Sequence, residues 1–168
     1  MMRGLVMNRC RPIGAIVAYA AALVVSGCQA PGSAPSPTSL ERDRDAVVKA
    51  HEALVDGYER GDVAAFVRVL DPSADLLVIH PRLEERFDGI DEVRREIPRM
   101  FERLGGAQWS DYHVVVSVHG DVAWLTSHVL VESRNVPDPF LGRGTEIYIR
   151  RPDGWKLIHG HWSSAPPS

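Results

Sequence analysis

Four runs in the C-terminal half of the chain constrain its fold most. They are "WSDYHVVVSV" (109–118), "VAWLTSHVLVES" (122–133), "TEIYIRR" (145–151) and "WKLIHGHWS" (155–163). Each alternates apolar and polar residues or is rich in β-branched ones, which suits a strand with one buried face. His119-Gly120-Asp121 and Pro152-Asp153-Gly154 stand between neighbouring runs as hairpin turns. Strands joined this tightly pair antiparallel, because a parallel pair needs a long crossover.

The half before them reads as helices with one strand among them. Thr38-x-x-Glu41 has the form of a capping box. Val47, Ala50, Leu54 and Tyr58 then recur at helical spacing, predicting a helix to about Arg60. Gly61 ends it and Asp62 caps a short second helix reaching Leu70. That placement favours a helix stop and start over an adhesion motif at Arg60-Gly61-Asp62. "ADLLVIHP" (74–81) has strand character. A third helix begins at Asp91 with Val93, Ile97, Phe101 and Leu104 on one face; Pro98 should kink it and Gly105-Gly106 stop it. Helices segregated to one face of an antiparallel sheet make an α+β fold.

The N-terminus is not part of that domain. Arg3, Arg9 and Arg11 precede an apolar run over residues 13–25, and Val25-Ser26-Gly27-Cys28 follows. A basic start, a short apolar run and small residues before a cut describe a secretory signal. A spanning helix needs about 20 apolar residues, more than this run offers. The four residues at the cut resemble the lipobox of bacterial lipoproteins, in which the cysteine is acylated and becomes the new N-terminus; an ordinary signal peptide is the alternative. The resemblance implies a signal peptide over residues 1–27, lipidation at Cys28, and a membrane-anchored domain facing the periplasm or exterior of the cell or outer membrane. Residues 28–38 would be the lipidated cysteine and a Pro/Ser/Gly-rich tether, 39–165 the domain and 166–168 a tail. Cys10 would leave with the signal, so no disulfide can form in the remainder. The removed segment carries three arginines and no acid. The formal charge thus moves from −3 to about −6, with 16 basic residues facing 22 acidic ones. An acidic exported domain is a poor partner for nucleic acid.

"ERGDVAAFVRVLDPSADLLVIHP", "HGDVAWLTSHV" and "GTEIYIRRPDGWKLIHGHWS" resemble, in this order, segments of the nuclear transport factor 2-like superfamily, which includes SnoaL-like cyclases and ketosteroid isomerases. The last phrase is similar to the ending of the association domain of calcium/calmodulin-dependent protein kinase II. The resemblance covers about residues 42–165 and implies a cystatin-like curved antiparallel sheet wrapped around helices, with an apolar pocket on the concave side. It also implies which strand faces line that pocket: the kinase domain's pocket arginines fall at Val129, Glu146 and Trp162, none of which is basic. Glu146, Tyr148 and Trp162 should therefore point inward, with Phe101 and Val129 beside them.

By alternation Leu157, His159 and His161 share the opposite, convex face with Ile147 and Ile149. The resemblance implies that such faces pair, so a homodimer is expected. A His-x-His could bind zinc, but no third ligand is placed by spacing, so neither a metal nor another cofactor is assigned. By resemblance to the isomerases, His80 before Pro81 occupies the general-base position and Glu146 that of a hydrogen-bond-donating acid. The plainer readings are a pocket-mouth histidine bonded to backbone, and a glutamate paired with Arg143 or Arg150. The leading expectation is a domain that binds a small hydrophobic molecule. The alternatives are an acid–base isomerase or cyclase using His80 and Glu146, and a dimeric assembly module of the cell envelope.

Overall fold

A computed structural model describes residues 38–82, 84–136 and 138–164. Cys28, the apolar leader and most of the tether lie outside the described residues, as does the tail. Among the described residues no helix is long and apolar enough to cross a membrane.

Helix α1 (Ser39–Arg60) starts at Thr38, whose hydroxyl accepts the Glu41 N–H at 3.2 Å while the Glu41 carboxylate accepts the Thr38 N–H at 2.5 Å. It stops at Gly61, whose φ of 63° is costly for residues with a Cβ. Asp62 caps α2 (Val63–Val69) by accepting the Ala65 N–H at 2.9 Å. Helix α3 (Ile90–Leu104) continues past Pro98 to Gly105. It buries Val93, Ile97, Met100 and Phe101 on one face.

The sheet has six strands: β1 (Leu77–Ile79), β2 (Arg86–Asp88), β3 (Ala107–His119), β4 (Val122–Ser133), β5 (Phe140–Arg151) and β6 (Gly154–Ser164), in the order β2-β1-β6-β5-β4-β3. It is mixed: β1 lies parallel to β6, with Leu77 opposite His159, and the other neighbours are antiparallel. The expected first strand is shorter than its apolar run, and β2, a three-residue partner with one buried residue, was not expected. β5 also begins earlier than expected. Gly142 and Gly144, which weaken a strand pattern, are here required by close packing. A Cβ at Gly144 would lie 2.9 Å from Trp162 Nε1, and one at Gly142 only 2.1 Å from the Ser163 carbonyl oxygen.

One face of the sheet is buried beneath the helices, with Ala123, Leu125, Val129, Tyr148 and Leu157 fully enclosed. Glu146, Tyr148 and Trp162 lie on this face, while His161 is exposed and His159 half-buried. Leu157 was expected to face outward and instead packs inward. A bulge between Ile147 and Tyr148 makes Tyr148 pair with Leu157, leaving Ile158 as the extra residue on β6. The added residue resets the alternation.

Candidate functional site

Helices α1 and α3 and the inner face of the sheet enclose a cavity of about 250 Å³. Tyr58 of α1, Met100 and Leu104 of α3, Trp109 of β3, Val131 of β4, Phe140 of β5 and Trp162 of β6 supply its apolar side, and Arg82, Glu85, Arg103 and Asp138 add charged groups to the lining. Tyr58 meets Trp109 edge to face at 5.1 Å, and Trp109 meets Trp162 in the same manner at 5.9 Å. One side of the cavity is therefore aromatic.

His80 is placed by the turn that follows β1. Its backbone N–H donates to the Glu85 carbonyl at 2.8 Å, and the Glu85 N–H returns to the Arg82 carbonyl. The imidazole stacks on Trp162 at 5.2 Å with 20° between planes and is only 7% exposed. Burial, aided by the positive Arg103, pushes its pKa down to about 4, so the ring is neutral at pH 7. Its Nε2 has no hydrogen-bond partner. A buried polar atom left unmatched costs about 1–3 kcal/mol, which a complementary ligand group would recover. At the mouth Arg103 pairs with Glu85, and Arg82 with Glu84, while Asp138, also in the lining, makes no ion pair among the described residues.

Behind the aromatic wall lies a polar network. The Trp109 indole N–H donates to Asp111 Oδ2 at 2.6 Å, and the same oxygen lies 2.9 Å from His51 Nε2. His51 Nδ1 lies 2.9 Å from Glu146 Oε2, which also accepts the Tyr148 hydroxyl at 2.5 Å. Both ring nitrogens thus face carboxyl oxygens, an arrangement that a doubly protonated imidazolium satisfies. Burial opposes that charge, but the hydrogen bonds and fields of Asp111 and Glu146 outweigh it and raise the His51 pKa to about 10. Burial acts to raise the Asp111 pKa, yet the bond from His51 leaves it below the usual range. Burial, and the carboxyl group of Glu146, push the Tyr148 phenol well up, so it stays a donor.

The family model of the SnoaL-like domain matches residues 47–167. The chain belongs to the SnoaL-like domain family. No curated protein matches the sequence. Among solved structures, this SnoaL-like domain is similar to a proposed dehydratase of the nuclear transport factor 2-like family from Streptomyces avermitilis. The two share 28% identity with a TM-score of 0.67, over 75% of this chain and 98% of the other. A proposed ketosteroid isomerase from Shewanella frigidimarina is 19% identical, with a TM-score of 0.60 over 70% and 94% of the two chains. A proposed calcium/calmodulin-dependent protein kinase II association domain from Thiobacillus denitrificans is 21% identical, with a TM-score of 0.59 over 70% and 93%. The last two show the shared fold alone.

In this SnoaL-like domain His80 and Trp162 line the cavity, whereas Glu146, Tyr148, Val129 and Phe101 are not among its lining residues. Val129 and Phe101 belong to the packed core. Glu146 faces the His51 imidazolium instead of an apolar wall, and Arg150 is tied to Asp43 and Asp121. Three residues of the site escape a reading by apolar periodicity: His51, Trp109 and Asp111. The readable signal was His51 itself, four residues after Val47 and three before Leu54, on the stripe that α1 buries. A titratable group on that stripe requires a buried partner.

Proposed function

We propose that this SnoaL-like domain is a lipid-anchored module that binds a small, flat, largely apolar and uncharged molecule in the aromatic cavity. The observation that carries the reading is the buried, unpartnered Nε2 of His80 in a cavity walled in part by the rings of Tyr58, Trp109, Phe140 and Trp162. The volume of about 250 Å³ is below the usual range of roughly 300–1,000 Å³ for ligand pockets. It suits a molecule of one or two rings carrying one hydrogen-bonding group. An open cavity also weighs against a pure assembly module, in which side chains would fill the space.

The acid–base reading draws less support. A histidine held at a pKa of about 4 is a weak base at neutral pH, and Glu146 is engaged with His51 and Tyr148 outside the cavity lining. The test uses 2-naphthol as a probe. It should quench tryptophan emission saturably in the wild-type chain and much less in His80→Phe, which keeps the stacking and removes the ring nitrogen. Equal quenching in both proteins would remove His80 from the reading. Absence of saturable quenching, together with no co-purified small molecule in native mass spectra of protein from its host, would remove the cavity.

A further inference from the structure

His113 is the only residue other than glycine with a positive φ among the described residues, at 56°. Such a conformation costs an ordinary residue about 1–2 kcal/mol. It sits in the bulge of β3 where the register with β4 slips between Tyr112 and Val115. Regular alternation would place Tyr112 and His113 on opposite faces. The bulge instead brings both rings to His128 of β4: Tyr112 at 5.7 Å and His113 at 5.2 Å between centroids. The strained residue therefore adds a second imidazole to the face that already carries the first.

That face continues in one cross-strand row. Tyr112 lies opposite His128, His128 opposite Arg143, and Arg143 opposite Ser163. A cleft of about 360 Å³ opens along it, lined by Tyr112, His128, Arg143, Ser163 and Ser164 over Leu141 and Gly142. Every polar side chain in the lining can donate a hydrogen bond and none is a carboxylate. On the same strand Arg150 and Arg151 are tied to Asp43 and Asp71, whereas Arg143 has no carboxylate partner among the described residues. His113 is not in the lining but packs against His128 at its edge. A guanidinium without a carboxylate partner among the described residues, beside the His128 imidazole and the hydroxyls of Tyr112, Ser163 and Ser164, repels a cation and suits an anion with several acceptor oxygens.

We propose that this outer-face cleft binds a phosphate-type oxyanion, with Arg143 as the charged anchor and His113, His128 and Ser163 as further donors. The site is separate from the aromatic cavity and does not depend on what the cavity binds. Free phosphate and a lipid phosphate headgroup share this chemistry, and the experiment separates them. The full chain, carrying Cys28→Ala to remove any lipid anchor, is titrated with inorganic phosphate while the imidazole resonances are followed by NMR. Saturable shifts confined to His113 and His128 are expected, weakened about tenfold or more in Arg143→Ala. His113→Gly should fold well, since glycine accepts φ of 56°, and should also bind more weakly. The same chain is then mixed with phosphatidylglycerol or phosphatidylcholine vesicles. Vesicle binding that phosphate displaces identifies a headgroup site; phosphate binding without vesicle binding identifies a free anion. Phosphate shifts unchanged in Arg143→Ala, or the absence of shifts and vesicle binding, would overturn the proposal. So would chelation of copper or zinc by the two histidines in preference to phosphate.

Discussion

His51 Nδ1 and Glu146 Oε2 are 95 residues apart in sequence and 2.9 Å apart in space. With Asp111 on the other ring nitrogen, this contact ties α1 to β3 and β5 through one buried cation. Removing one member of a buried ion pair commonly costs about 3–5 kcal/mol, because the partner is left unmatched. His51→Ala should therefore destabilise the fold by that order in urea unfolding. The His51 pKa is raised from 6.5 to about 10 on folding. Its contribution is thus fully present below pH 6.5 and is lost as pH rises through about 10. Stability of the wild type should fall along that alkaline limb, and His51→Ala should lack it. An unchanged alkaline limb in the variant would mean that His51 is not the charged group.

His80 predicts the opposite limb. Its pKa falls from 6.5 to about 4 on folding. Between those values the unfolded chain holds the proton and the native ring does not, so stability drops as pH falls from 6.5 towards 4. His80→Phe keeps an aromatic ring against Trp162 and removes the buried unmatched nitrogen. It should be as stable as wild type or more so at pH 7, with a shallower acid limb in unfolding experiments at pH 5. A variant with an equally steep acid limb would sink this assignment.

The order of elements was legible because it rests on local signals: the capping box at Thr38 and Glu41, the stop at Gly61, and the turns at Gly120 and Gly154 all occur where the residues indicate. What escaped was set by packing between distant segments. Strand β2 shows only Phe87 as a buried residue, so no alternation announces it. The bulge that turns Leu157 inward depends on how β5 and β6 meet. His80 and Trp162 were legible as pocket residues through the fold resemblance. The link from Glu146 to His51 was not, because it is made across 95 residues by a histidine on an otherwise apolar stripe.

Cys28 lies outside the described residues, and its lipidation is a prediction from Val25-Ser26-Gly27-Cys28. Wild-type protein should fractionate with membranes, and Cys28→Ala should be released or remain as uncleaved precursor. Mass spectrometry that finds an unmodified mature N-terminus on wild-type protein would refute it.

Homodimer formation is predicted from the outer face of the sheet. Val122 is opposite Ile149 and Trp124 opposite Ile147, which gives two adjoining apolar cross-strand pairs. Val122 is 42% exposed and Trp124 is 40% exposed, and Trp124 stacks on His119 at 5.0 Å with 2° between the rings. A rigid aromatic among β-branched residues is the composition of an interface centre. The row carrying Arg143 lies toward the other end of the same strands, so the patch and the cleft are distinct. Leu157, turned inward by the bulge, contributes nothing to the patch; His159 and His161 flank it. A stable interface here would cover about 800 Å² per partner. Light scattering on the full chain with Cys28→Ala should give a dimer at micromolar concentration. Trp124→Glu should give a monomer whose fold is retained, since the side chain is partly exposed in a single copy. A wild-type monomer under those conditions would show that this face does not pair. A Trp124→Glu dimer would place the contact elsewhere on the domain.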